Sequence, residues 1–473
     1  MKKLVLTVLL SALACPAWAT TYYLATAAGG GSDSNSGTSS SSPWLTPKHA
    51  VNCGDVILAA AGTYAERNFR PGQWGTVTCA AGNNVAWLKC ATFDTCKIVI
   101  SVAGHNAMTP TQSYWGIQGW EVTTSTVSTN QCFEAYPPDF THTIHHIIFA
   151  NNIANGCGDG AFATGGSAAN VGVDYVVIIG NIAYNGAQDN TECYSGIDIV
   201  TPVNSDTLPG THIYIAGNYV WGNVDPNPCS GRLPTDGQGI SLDTVNQNRY
   251  SGQIVIENNI SVFNGGTGIQ TFLNTESSPN AKVYIRQNTT YGNQTGRVNA
   301  NPCAEINLNY SLSTEVYSNL IGTGAATGCQ GAINIYAIGV TAPDQTDVID
   351  RNFLYNGAGN KATVSGSGFV YGASNLSGTN PVFANPVKPS APNCGSASNV
   401  PDCMATMIAN FTPTAVAAKP YGYQIPSSTQ TFDPLFPQWL CNVTLPAGLV
   451  GTRCVAQSSL PASPTGLTVV SVQ

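Results

Sequence analysis

One phrase recurs seven times along this chain: apolar residues alternate with polar ones for two steps, an Asn follows, and a short apolar run closes on Asn or Gly. It reads HIIFANNIANG from His146, YVVIIGNIAYNG from Tyr175, HIYIAGNYVWGN from His212 and QIVIENNISVFNG from Gln253. It continues as KVYIRQNTTYGN from Lys282, EVYSNLIGTG from Glu315 and VIDRNFLYNG from Val348. The shared Asn residues are Asn152, Asn181, Asn218, Asn259, Asn288, Asn319 and Asn352, about 29 to 41 residues apart, which is the length of one coil of a solenoid. Stacked coils bury one continuous core, and an Asn at the same place in each can hydrogen-bond up and down the stack while tolerating a left-handed turn.

A second element follows a variable loop in each repeat: GIDIVT from Gly196, GISLDT from Gly239, GIQTFL from Gly268, AEINLN from Ala304 and AINIYA from Ala332. Period-two alternation makes these strands, with Ile197/Ile199, Ile240/Leu242, Ile306/Leu308 and Ile333/Ile335 facing inward. Two strands flank the Asn turn and a third follows the loop, so the expected fold is all-β, a parallel β-helix with three short strands per coil. Neither helix-length periodicity nor two-residue hairpin turns are present to support another class.

The Lys pair, the apolar run Leu4 to Leu13 and Ala17-Trp18-Ala19 read as a signal peptide over residues 1–19, with cleavage before Thr20 and a secreted or periplasmic product. Cys15 offers a lipoprotein site, but Ala12 and the following Pro16 disfavour it. No later run is long and apolar enough to span a membrane. Only 9% of residues are charged, and losing Lys2 and Lys3 moves the net charge from −8 to about −10, which argues against nucleic acid as a partner.

The 15 Cys include Cys15, so the mature chain keeps an even number, and disulfides are expected in an exported protein. A sequential pairing suits the spacing: 53 with 79, 90 with 96, 132 with 157, 193 with 229, 303 with 329, 394 with 403 and 441 with 454, although sequence alone does not fix it. Cys303 and Cys329 have the best support, each lying just before one of two matching strands.

The opening segment YYLATAAGGGSDSNSGTSSSSPWLTPKHAVNCGDVILAAAGTY suggests a cap, with Thr46 as N-cap and Pro47 as first residue of a short helix. This segment, with TDGQGISLDT and IVIENNISVFNGGTGIQTFL, resembles exported right-handed β-helix proteins related to pectate lyases and chondroitinase-B-like lyases. The resemblance spans residues 21 to 385. It implies right-handed coils, in line with the usual hand of parallel crossovers. A monomer is expected. The β-helix with its N-terminal helical cap is thus expected over 20–385, an irregular Cys- and Pro-rich C-terminal cap over 386–456, and a tail over 457–473. NPVF and FDPLF read as segments that finish the stack.

In such proteins the substrate lies along the strand that follows the large loops, here the GI strands. Their outward columns read Asp198, Ser241, Gln270, Asn307, Asn334 and, beside it, Val200, Asp243, Phe272, Asn309, Tyr336. Asp198 and Asp243 fall on neighbouring coils, and Asp236 precedes the second strand. Three convergent carboxylates need a cation or a shared proton. Their oxygens suit Ca²⁺, which would acidify the proton beside a uronate carboxylate for β-elimination. The plainer reading makes Asp236-Gly237 a turn and the other two solvated strand residues.

Lys282, in an outward column with His146, Tyr175, His212 and Gln253, is the candidate base, with Arg249 second. Gln270, Phe272, Asn307, Asn309 and Tyr336 are candidate substrate contacts, and Tyr214 and Tyr284 are further outward aromatics. His145 and His146 lack metal-site spacing, and Glu257 with Arg286 reads as a cross-strand ion pair. The acidic run and following Lys of calcium-dependent pectate lyases have no clean match here, nor do the Asn-Thr-Asp and His-Gly signatures of polygalacturonases. A Ca²⁺-assisted lyase leads, with a glycoside hydrolase in the same groove and a non-catalytic carbohydrate-binding or adhesion solenoid as alternatives.

Overall fold

A computed structural model describes residues 19–454, apart from 80–83, 126–129, 138–140, 167–169, 190–193, 226–235, 273–280, 297–302, 311–312, 324–335, 341–346, 356–363, 427–431, 447–448 and 450–452. The signal peptide and the tail lie outside the described residues.

Each repeat closes one coil of a right-handed parallel β-helix. In one coil Thr211–Ala216 joins the first sheet, Tyr219–Trp221 the second and Ile240–Asp243 the third. All the ladders between strands of successive coils are parallel, and among the described residues the three main sheets have 12, 11 and 8 strands. They are called here the long, middle and short sheets. The alternating Ile, Val and Leu residues point inward and fill one core from Leu24 to Leu354.

The Asn column forms a ladder between the long and middle sheets. Asn181 donates its backbone N–H (2.9 Å) and side-chain Nδ2 (3.1 Å) to Asn218 Oδ1 of the next coil, and its Nδ2 also reaches Phe149 O. The pattern repeats through Asn259, Asn288, Asn319 and Asn352 to an eighth member, Asn375. The left-handed residue is not the ladder Asn but the one before it: Asn151, Gly180, Gly217, Asn258, Gln287, Ser318 and Arg351 all have positive φ. A second ladder, Asn223 to Asn264 to Asn293, uses the Asn that ends the apolar run and finishes on the Glu305 carboxylate.

The ends of the chain depart from expectation. No helix follows Thr46-Pro47. Thr46 instead gives its N–H and hydroxyl to Asp33, which also holds Leu45 N, Lys48 and His49, so the segment is a turn gathered on one carboxylate.

Beyond residue 380 the chain does not stop at the end of the stack but runs back along it. Phe383, Val400, Met404, Met407, Phe411 and Ala418 cover the outer face of the middle sheet. Phe436, Trp439, Leu440, Val443 and Leu449 cover the long sheet, burying Val177, Tyr214 and Val255. Two short helices, Val400–Cys403 and Ala405–Phe411, lie in this segment. Among the described residues, neither apolar cluster of the segment includes a short-sheet residue.

Glu257 and Arg286 are a cross-strand pair as expected, but with Glu257 fully buried: Asp433 and Arg453 of the returning segment join them, and the Tyr214 hydroxyl donates to Glu257. Disulfides join 53 to 79, 90 to 96, 132 to 157, 394 to 403 and 441 to 454. Cys303 is disulfide-bonded, while Cys193, Cys229 and Cys329 lie outside the described residues. No helix among the described residues is long and apolar enough to cross a membrane.

Candidate active-site face

The short sheet carries the outward column anticipated from the strands. Asp198 pairs with Ser241, Ser241 with Gln270 and Gln270 with Asn307; in the next column Val200 pairs with Asp243, Asp243 with Phe272 and Phe272 with Asn309. Asp198 and Asp243 are thus two residues out of step on adjacent strands, about 8 Å apart at Cα from strand spacing and rise. Upstream the first column extends through Ala163 to Glu134.

The last coil differs. Asn307 pairs with Gly339, and Tyr336 stands opposite Ala304, so Tyr336 is not in the Asp243 column; Asn334 lies outside the described residues. The strand is Tyr336–Val340, which puts Ile338 and Val340 into the core.

The three acidic residues affect one another. Asp198 is only 2% exposed, and burial, then Asp243, then Asp236, push its carboxyl well above the usual range against a hydrogen bond from Ser241. Burial and then Asp236 raise Asp243 to about 6, partly offset by the Thr244 N–H. One carboxylate oxygen on Asp198 and one on Asp243 are buried with no hydrogen-bond partner. Such an oxygen is costly unless a proton or a cation meets it. All-oxygen donors suit Ca²⁺ in kind. Among the described residues, however, no three His, Cys, Asp or Glu side chains already stand as a set able to hold a metal. Glu134, buried and bonded to Asn106 Nδ2 at 2.6 Å, is raised by burial to about 7.

Polar and aromatic groups continue the face. Gln238 accepts from Ser195 and donates to Gln270 at 3.1 Å. The Phe272 ring meets Tyr310 edge-on at 5.6 Å, and Tyr310 is 38% exposed. Glu134, Gln238 and Tyr310 were missed in the sequence. Tyr310 directly follows Asn309, the last residue of the alternating AEINLN run, and Glu134 lies on a strand ahead of the first GI segment.

Of the candidate bases, Lys282 is held away from the acidic group. Lys282 precedes Val283–Arg286 of the long sheet, where it pairs with Glu315 at 2.7 Å and lies over the Tyr284 ring. Arg249 is exposed in the connection that leaves Asp243, with φ at 52°. Tyr214 is buried beneath Phe436, and Tyr284 packs against the returning segment. His146 is stacked between Tyr114 and Tyr175 at 4.9 and 4.5 Å, and burial lowers it to about 3, so it serves as a packed ring.

The molecule is therefore a right-handed parallel β-helix with an acidic, aromatic-edged column on its short sheet, which among the described residues joins neither apolar cluster of the C-terminal segment. The chain matches no family model and no curated protein. Among solved structures it is similar to the pectate lyase Pel9A, at 17% identity over 78% of this chain and 84% of that one, with a TM-score of 0.46. It is also similar to the A-module of Azotobacter vinelandii mannuronan C-5 epimerase AlgE4, at 16% identity over 69% and 91% with a TM-score of 0.34. A mutant of the PL6 family alginate lyase AlyGC matches at 13% identity over 68% and 38%, with a TM-score of 0.39.

Proposed function

We propose that the protein is exported and acts on a polysaccharide laid along the short-sheet face, as a lyase on a uronate-containing polymer. The observation that carries this reading is the pair of buried, unpartnered carboxylate oxygens on Asp198 and Asp243, facing outward on neighbouring strands of the short sheet. Asp198, Asp236 and Asp243 would hold Ca²⁺, which when bound supplies the acidification of the proton beside the uronate carboxylate. Gln270, Asn307 and Asn309 offer hydrogen bonds to sugar hydroxyls, and Phe272 with Tyr310 offers a ring surface. Arg249 is the preferred proton acceptor, since Lys282 would first have to leave Glu315. The disulfides suit an oxidising, extracytoplasmic compartment.

Hydrolysis is the second reading. Asp198 and Asp243, both raised by burial and by acidic neighbours, stand on adjacent strands as two carboxyl groups, the pair that acid–base cleavage of a glycosidic bond uses.

Polygalacturonate, alginate and chondroitin, each followed by absorbance of unsaturated ends with and without chelator, distinguish the two. Chelator-sensitive absorbance, lost in Asp243→Asn, is expected. Reducing ends without unsaturation would transfer the assignment to hydrolysis, and undiminished activity in Asp243→Asn would remove the site.

A further inference from the structure

A cleft of about 480 Å³ lies where middle-sheet strands turn toward the short sheet, and none of the acidic-face residues lines it. Its walls are Thr124, Ser125, Asn155, Asn185, Gln188 and Val224, with Gly156 and Gly222 in the floor and Lys388 of the returning segment above. The strands set the spacing: Asn155 pairs with Tyr184, so Asn185 and Gly222 follow in the same row one residue further along. Gly156 and Gly222 have φ of 71° and 67°. A Cβ at Gly222 would stand 3.2 Å from the Lys388 ammonium, so the glycine lets that charge lie against the strand ends.

The chemistry is one-sided. The side-chain amides of Asn155, Asn185 and Gln188 and the Lys388 ammonium make no hydrogen bond or ion pair among the described residues. Among the described residues no carboxylate and no aromatic ring lines the cleft, and Val224 is the one bulky apolar wall. Amides and hydroxyls on several sides call for a ligand rich in hydroxyl groups. A single ammonium with no acid beside it calls for one negative charge. The volume suits one or two sugar rings.

We propose that this cleft is a second carbohydrate site, selective for an acidic sugar unit whose carboxylate pairs with Lys388 and whose hydroxyls bond to Asn155, Asn185 and Gln188. It is separate from the acidic face in position and opposite in charge, and it does not depend on the reaction assigned to that face.

The test is calorimetric titration of the full-length oxidised protein with digalacturonate and, in parallel, with uncharged mannobiose. Lys388→Gln and Asn185→Ala probe the cleft, and Asp243→Asn probes the acidic face. Lys388 and Asn185 are exposed, and thermal melting verifies that each variant is folded. The expected result is salt-sensitive binding of digalacturonate, about tenfold or more weaker in Lys388→Gln, and retained in Asp243→Asn. Unchanged affinity in Lys388→Gln, equal affinity for mannobiose, or loss of binding in Asp243→Asn alone would each overturn the proposal. The last would place the ligand on the acidic face instead.

Discussion

Glu305 ends the second Asn ladder, fully buried, accepting Asn293 N at 3.0 Å and Asn293 Nδ2 at 2.6 Å. Burial outweighs those bonds and raises it from 4.5 to about 8. A carboxyl whose folded value lies above its unfolded one stabilises the fold fully below the unfolded value and loses that contribution as pH rises through the folded value. At about 1.4 kcal/mol per unit, Glu305 alone should cost the fold about 3 to 4 kcal/mol between about pH 5 and about pH 8.5. In Glu305→Gln the side chain stays neutral, so this share of the pH slope disappears even if the absolute stability falls through a lost acceptor. Denaturant midpoints of both proteins at the two pH values, with disulfides intact, give the difference. Glu134 and Asp243 titrate in the same direction in both proteins and cancel. Equal pH slopes in wild type and Glu305→Gln would refute the assignment of a protonated Glu305 at neutral pH.

Other outcomes follow from the same geometry. Glu257→Ala removes the fully buried one of the two acids that Arg286 and Arg453 share, leaving them Asp433, and should cost about 2 to 3 kcal/mol, with residues 432–454 becoming the first site of limited proteolysis. Asn259→Ala removes the acceptor for two bonds from Asn218 and the donor to Ile215 O, and should lower stability by about 2 to 4 kcal/mol in denaturant titration. Tyr310→Ala should raise KM for a polysaccharide substrate several-fold with little change in melting temperature, because the ring is exposed and its one described ring partner is Phe272.

The coil, its period and the short-sheet register from Asp198 to Asn309 were legible because alternation and the Asn column count the same repeat. The final strand was not. The expected inward pair Ile333/Ile335 lies outside the described residues; what the sequence did not announce is the alternation Ile338/Val340, set by pairing with Ile306 and Leu308, which carries Tyr336 out of the Asp243 column. The left-handed position had a signal that went unread: Asn or Gly precedes the ladder Asn at 151, 180, 217 and 258. The path of the C-terminal segment left no periodic trace, since Met404, Met407, Phe411 and Trp439 pack against faces built by distant strands. Of the site, the carboxylates were legible as register neighbours. Lys282 was misplaced because its outward column belongs to a different sheet.

The return of the chain along its own flank changes how such a stack can come apart. In an unbraced solenoid each coil answers only to its neighbours, and ends fray one layer at a time. Here Val400 N binds Asn151 Oδ1 across 249 residues, and Gln424 binds Asn258 across 166. Early coils are thus bolted by the last part of the chain to be made. Until that segment arrives, the apolar outer faces of two sheets stay wet, so the finished molecule should unfold in one step while its truncated forms should adhere to one another.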